Sequence, residues 1–302
     1  MASQLNLGGL TMPTFLDNNI SLGEVKLKVS RLERSIRFYE EVVGLKILQH
    51  DADNGVVSFT ADGQHTLLVL EEVPDAVVPQ RRSYAGLYHF ALLLPDRRSL
   101  SLALRNLIQS GIHIGQADHL VSEALYIADP DNNGIEIYAD RPREEWKRDA
   151  GGNYVMASDP IAWESLLAES EGLTWSGLPQ GTVIGHVHLH VGDLRISRAF
   201  YEGKLGFDVV GDYAQQMSAL FISAGGYHHH LGLNIWAGVG AALPPANTVG
   251  LSYFSIVFPT SASREALLDH LRSEGVVAQA QGSAFVVHDP AGIAIHLTVK
   301  TD

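Results

Sequence analysis

The sequence predicts an α+β protein made of two tandem repeats, each dividing into two strand–helix–three-strand units. Three observations carry that prediction. Phe38, Tyr39 and Gly44 of RSIRFYEEVVGLKIL recur as Phe200, Tyr201 and Gly206 of ISRAFYEGKLGFDVV, each 162 positions later. Asp129 and Pro130 recur as Asp289 and Pro290, 160 positions later, so the register lasts to the end of each half. The order strand, helix, several strands occurs twice within the first half, from about Gly23 to Val73 and again from Leu87 to Tyr138.

The elements follow in order. In the first unit EVKLKV alternates, placing Val25, Leu27 and Val29 on one side and Glu24, Lys26 and Lys28 on the other. Ile36, Tyr39 and Val43 have helical spacing, Gly44 stops that helix, and short strands follow near 46–49, 56–60 and 66–70. The second unit opens with YHFALLLP, where Pro95 ends the strand, and continues through a helix near 98–110 closed by Gly111. It finishes on ALYIADPDNNGIEIYAD, whose last strand puts Ile135 and Ile137 on one face and Glu136 and Tyr138 on the other. In the third unit Val187, Leu189 and Val191 oppose His186, His188 and His190. Between the halves lies RPREEWKRDAGG, then a helix expected over 159–169 with Ser158 as its cap and Pro160 in its first turn. The expected organisation is a first domain over 20–142, a linker over 143–181 and a second domain over 182–301.

Composition bounds the function. At 302 residues and 46% hydrophobic, the chain is long enough for two cores. A formal charge of −13 without a compensating Lys/Arg cluster repels phosphate backbones and anionic headgroups, so nucleic acid and membrane surfaces are not expected partners. With no cysteine, disulfides and thiolate chemistry are excluded, and any metal must be held by imidazole nitrogen and carboxylate oxygen. The first twenty residues lack a basic segment followed by an apolar core, and no apolar run approaches the ~20 residues that span a bilayer. The expected location is the cytoplasm.

Polar strand faces at equivalent places suit a cleft better than a core. With FYEEVVGLKIL, FYEGKLGFDVV and two DP turns before a last strand, the chain resembles the vicinal oxygen chelate superfamily of glyoxalases, extradiol ring-cleaving dioxygenases and bleomycin-resistance binding proteins. The strings GLYHFALLLP, HLVSEALYIADPDNNGIEIYADRP and GGYHHHLGLNIW are most similar to its two-domain catechol 2,3-dioxygenase branch. The resemblance spans nearly the whole chain. It implies two tandem domains, each of two βαβββ units curled into a half-open barrel with helices outside, around a metal or ligand.

The same resemblance implies a site. The family's metal ligands lie early in the first strand of each unit and on a Glu in the last strand, positions that His89 and Glu136 match. Glu24 takes the third position, where a ring cleaver has His; a solvated residue beside Lys26 and Lys28 is the alternative. His65 matches a proton-shuttling His, Tyr126 a Tyr that hydrogen-bonds the bound substrate oxygen, and His119 lies two residues out of register with a further family His. The implied cofactor is a divalent metal, Fe(II) first, with Mn(II), Ni(II) or Zn(II) as alternatives. The second half offers a rival set, because His186, His230 and His296 occupy the places of Glu24, His65 and Glu136, while Tyr253 replaces His89. Of the run His228, His229 and His230, at most two can share a face in a strand.

The leading expectation is extradiol cleavage of a small aromatic diol by O2, with His65 moving protons and Tyr126 supporting the oxygen anion. A glyoxalase-type isomerase or lyase accommodates Glu24 better, and a binding module without turnover is the third reading. Relatives often pair barrels between chains, so a homo-oligomer is a further expectation, although both barrels here share one chain.

Overall fold

The computed structural model describes residues 15–300; residue 301, the expected end of the second domain, lies outside the described residues. The first unit comprises β1 (Ser21–Val29), α1 (Leu32–Arg37) running into a π-helical turn (Phe38–Val43), β2 (Lys46–Asp51), β3 (Val56–Thr60) and β4 (Leu68–Glu72). The second comprises β5 (Gly86–Leu94), α2 (Arg97–Ser110), β6 (Gly115–Asp118), β7 (Ser122–Ala128) and β8 (Gly134–Asp140). After α3 (Trp163–Ala168) come β9 (Val183–His190), α4 (Leu194–Arg198) with its own π-helical turn (Ala199–Lys204), β10 (Asp208–Tyr213), β11 (Ala219–Ser223) and β12 (Leu231–Asn234). The fourth unit is β13 (Gly250–Phe258), α5 (Ser261–Ser273), β14 (Gln279–Gln281), β15 (Ala284–His288) and β16 (Ala294–Val299).

Within every unit the first strand pairs in parallel with the last, as β1 does with β4 and β5 with β8. That leaves the other edge of each first strand open, and an open edge in mid-sheet is a row of unpaired N–H and C=O groups. The edges are joined crosswise: β5 pairs antiparallel with β9, and β1 with β13. The result is two eight-stranded sheets, one from units two and three, the other from units one and four. Each is still a pair of βαβββ units, but the partners are not consecutive in sequence.

The recurring sequence motifs bind one another. Tyr39 donates to Asp129 Oδ2 at 3.0 Å, and Tyr201 donates to Asp289 Oδ2 at 3.1 Å. Both carboxylates also accept backbone N–H bonds that close the DP turns. Burial raises the pKa of each Asp despite these donors. The FY and DP signatures are therefore structural clasps between helix and turn, one in each half.

Helix punctuation follows local chemistry. Asp96, Asp193 and Thr260 accept from the third residue of α2, α4 and α5, and Gly44 and Gly111 close their helices with positive φ. The linker helix is shorter than expected. Asp159 pairs its backbone with Asp118 in both directions, at 2.8 and 3.0 Å, which holds 159 extended and defers α3 to Trp163, without a side-chain cap. Val25, Leu27 and Val29, like Val187, Leu189 and Val191, are fully buried in the main core, which leaves the opposite strand faces to line the clefts. Among the described residues, no helix is long and apolar enough to cross a membrane.

Candidate metal centre

The centre is a consequence of register around Ala91. On β5, Ala91 lies opposite Glu136 of β8 on one side and opposite His186 of β9 on the other. His89, two residues earlier, shares its face. Because Ala91 has only a methyl group, three longer side chains can meet above it. Glu136 Oε2 lies 3.1 Å from His89 Nε2 and 3.1 Å from His186 Nε2, and the two Nε2 atoms are 3.3 Å apart. Two glycines permit the approach. A Cβ on Gly134 would strike the Tyr88 carbonyl at 2.1 Å, and one on Gly185 would strike the Tyr138 hydroxyl at 1.8 Å.

All three side chains are buried, Glu136 to 2% exposure. Burial alone would raise the pKa of Glu136; the charge and hydrogen bonds of His186 and His89 outweigh it and hold the carboxyl well below its usual range. Burial lowers the pKa of His89 despite Glu136. An anionic oxygen thus sits against two imidazole nitrogens aimed at the same point, and no placement of protons on those nitrogens satisfies all three contacts. A divalent cation satisfies them. Ligands about 2.1 Å from a cation and at right angles stand about 3 Å apart, which is the spacing found here. Within the described residues, His89, Glu136 and His186 are the group of three His or carboxylate side chains whose ligand atoms converge in this way. His186 Nδ1 is buried without a hydrogen-bond partner, so no protein acceptor fixes its tautomer.

Around this trio stand further polar groups. His119 Nδ1 is 2.6 Å from the Ala157 carbonyl, which fixes the proton on Nδ1; Nε2 then accepts from the Tyr126 hydroxyl at 2.6 Å. The Tyr126 ring lies 5.6 Å from that of His89. Burial first, then the nearby negative charge of Glu136, keep the Tyr126 phenol protonated by raising its pKa well above the ordinary value. On the other wall the His229 ring is 4.2 Å from His186, and its Nδ1 is 2.7 Å from Nδ1 of His228, which in turn reaches Asp140 at 2.9 Å. Burial pushes the pKa of His229 well down. A cavity of about 480 Å³ runs outward from His89 and Tyr126 past the beginnings of β5 and β13.

Several expected site residues lie elsewhere. Glu24 is on the other sheet, accepting from the Tyr253 hydroxyl at 2.5 Å, because β1 pairs with β13 rather than with β5. His65 is on an exposed loop of that same unit, with Nδ1 2.7 Å from Asp62, far too open to serve the buried trio. The rival set is not assembled either. His296 stacks on Tyr253 at 3.6 Å in the sheet of units one and four. His230 turns to Ser223 and the Ala224 N–H, and burial pushes its pKa down to about 3. His186 alone leaves that set to join His89 and Glu136. His229 is the residue that sequence reasoning passed over: 228–230 is not a strand, so strand alternation does not decide its direction.

The sequence pattern of the Glyoxalase/Bleomycin resistance protein/Dioxygenase superfamily matches residues 21–137 and 183–297, and the chain belongs to that family. It is 50% identical over 277 residues to the catechol-2,3-dioxygenase of Bacillus subtilis (strain 168), covering 92% of this chain and 96% of that protein. It is 29% identical over 118 residues to the glutathione transferase FosA of Serratia marcescens, covering 39% of this chain and 79% of that protein. Among solved structures, glyoxalase I from Zea mays shares the fold with a TM-score of 0.52 at 18% identity, over 92% of each chain. A Bacillus subtilis subsp. subtilis str. 168 structure, provisionally described as a dioxygenase, superposes with a TM-score of 0.63 at 12% identity, over 93% of this chain and 86% of that one.

Proposed function

We propose that the chain is an extradiol dioxygenase that cleaves the ring of a catechol beside its vicinal hydroxyls, using a divalent metal held by His89, Glu136 and His186. The carrying observation is the convergence of two imidazole nitrogens and one carboxylate oxygen within 3.1 to 3.3 Å of one another in a buried cleft. Two His and one carboxylate on one face of an octahedron leave three adjacent positions, enough for a bidentate diol and O2, and this donor set favours Fe(II). Identity at 50% to a catechol-2,3-dioxygenase along almost the full length of both chains supports the same substrate class. Bound Fe(II) would supply Lewis acidity toward the diol and electron transfer between it and O2. Both oxygen atoms enter the product, so no external reductant is needed.

The chain's own side chains then have defined tasks. Tyr126 gives its proton toward His119, so its oxygen lone pairs are free to accept from a substrate hydroxyl. A proton leaving the diol can pass through Tyr126 to His119 without a charged phenolate persisting. His229, kept neutral by burial and with Nδ1 committed to His228, has Nε2 as its remaining base on the opposite wall. It replaces His65 as the group that moves protons at the cleft. The glyoxalase-type reading leaned on Glu24 as a second carboxylate ligand; with Glu24 bound to Tyr253 on the other sheet, that support is gone.

Protein prepared without an affinity tag and reconstituted anaerobically with Fe(II) is expected to consume one O2 per catechol and to produce a yellow semialdehyde. No oxygen uptake with any simple catechol would overturn the proposal.

A further inference from the structure

The cavity is larger than the ring it is proposed to receive. A cavity of about 150 Å³ is enough to hold benzene, whereas this one measures about 480 Å³. Room therefore remains for a substituent, and the rim shows what kind. Its cations include Arg81 and Arg82, both exposed, and among the described residues neither forms an ion pair. The cavity's acidic residue, Asp131, is already engaged by Ser30 and Arg34. In a chain of net charge −13, a rim with free positive charge is a local exception.

Arg82 also lies over two aromatic rings. Its guanidinium lies 5.9 Å from the centre of the Tyr88 ring and 5.7 Å from that of Trp236. Contact with aromatic faces leaves the in-plane N–H donors of a guanidinium free to bind a carboxylate through two parallel bonds. The Tyr88 ring in turn lies 5.0 Å from the ring of His89, so a single aromatic ring separates Arg82 from a ligand of the centre. The backbone of Arg82 has φ of +59°, a conformation disfavoured for a residue with a Cβ.

We infer that Arg82 reads an anionic substituent, so that the cavity selects ring-substituted catechols carrying a carboxylate over unsubstituted or neutral ones. This inference rests on the proposed catechol site and adds its specificity. A carboxylate side chain on the ring would lie along Tyr88, with its charge at Arg82 and its two hydroxyls at the His89, Glu136 and His186 end.

The test compares a catechol bearing an acetate side chain with the matching acetamide, equal in shape and differing in charge. Binding is measured by calorimetric titration of Zn(II)-loaded protein, which is redox-inert, and turnover by oxygen uptake of Fe(II)-loaded protein. Wild type is expected to bind the acetate about tenfold more tightly than the acetamide, the size of one partly exposed charge-assisted contact. Arg82→Asn, which suits the left-handed backbone, should erase that preference while leaving acetamide binding within about twofold. Arg82→Lys should restore part of it, and Arg81→Asn should keep most of it, because Arg81 lacks the ring contacts. Equal binding of both compounds by wild type, an equal loss for both in Arg82→Asn, or the same loss of preference in Arg81→Asn as in Arg82→Asn would overturn the inference. Charge-selective binding without oxygen uptake would instead refute the proposed ring cleavage while leaving the role of Arg82 standing.

Discussion

The two sheets carry the same three strand positions and fill them differently. In the sheet of units two and three, the first strand of one unit, its last strand and the first strand of the other supply His89, Glu136 and His186. In the sheet of units one and four the equivalent places hold Tyr253, His296 and Glu24. There the tyrosine brings its own proton and gives it to Glu24 at 2.5 Å, while its ring lies flat on His296, 3.6 Å away and 9° from parallel. Lys26, on the strand of Glu24, is already paired with Glu71 at 2.6 Å. Where the first sheet places an imidazole nitrogen, this one places a hydroxyl, which closes a hydrogen bond to the neighbouring carboxylate. Under the proposed function one barrel carries the chemistry, while its duplicate closes its polar groups on one another.

The largest effect should come from the ligands themselves. His186→Ala and Glu136→Gln are expected to abolish stoichiometric metal binding, measured by elemental analysis, and to lower ring cleavage by ~10³-fold or more. Next, Tyr126→Phe and His119→Ala should each reduce turnover by about 10²-fold while metal content stays near one per chain. Loss of metal in either variant would mean that the pair holds the centre together rather than moving a proton.

Acid should separate the two sheets. Burial lowers the pKa of His188, His229 and His230, the last to about 3, whereas the unfolded chain protonates these imidazoles near the ordinary value of about 6.5. Their stability contribution is therefore complete above about pH 6.5 and falls as pH drops below it, at up to ~1.4 kcal/mol per pH unit for each group that stays neutral when folded. All three lie in or beside the sheet of units two and three; the other sheet has the half-buried His296, whose pKa burial and Lys26 lower. Metal-free protein should show a lower Tm at pH 5 than at pH 7.5, and hydrogen exchange should report loosening of β11 and β12 before β13 and β16. A Tm independent of pH over that interval would contradict this.

Much smaller changes are expected in the duplicate. Glu24→Gln and Tyr253→Phe should leave metal content and turnover within about twofold and cost ~1–2 kcal/mol in denaturant unfolding, the loss of one hydrogen bond to a charged group. His65→Ala, on an exposed loop, should change neither measurably.

Much of this was legible in the sequence, because alternation and offset are local properties. Alternation set Val25, Leu27 and Val29 against Glu24, Lys26 and Lys28, and the offsets of 160 and 162 identified equivalent positions in each unit. The presence of His89 and Glu136 on one face follows from strand pairing inside a single unit. Pairing between units was not legible. Every first strand presents an equivalent open edge, and nothing in the residues states that β5 takes β9 while β1 takes β13. For that reason Glu24 appeared as the third ligand and His186 as part of a rival set. His229 was hidden for a different reason: it sits in the irregular connection between β11 and β12, where the period of two has no hold.

The most direct test is an anomalous-difference map from crystals of tag-free, Fe(II)-reconstituted protein. A single peak within bonding distance of His89 Nε2, His186 Nε2 and Glu136 Oε2 is the expected result. A peak among Glu24, Tyr253 and His296 instead, or none between β5, β8 and β9, would contradict the assignment of the working barrel.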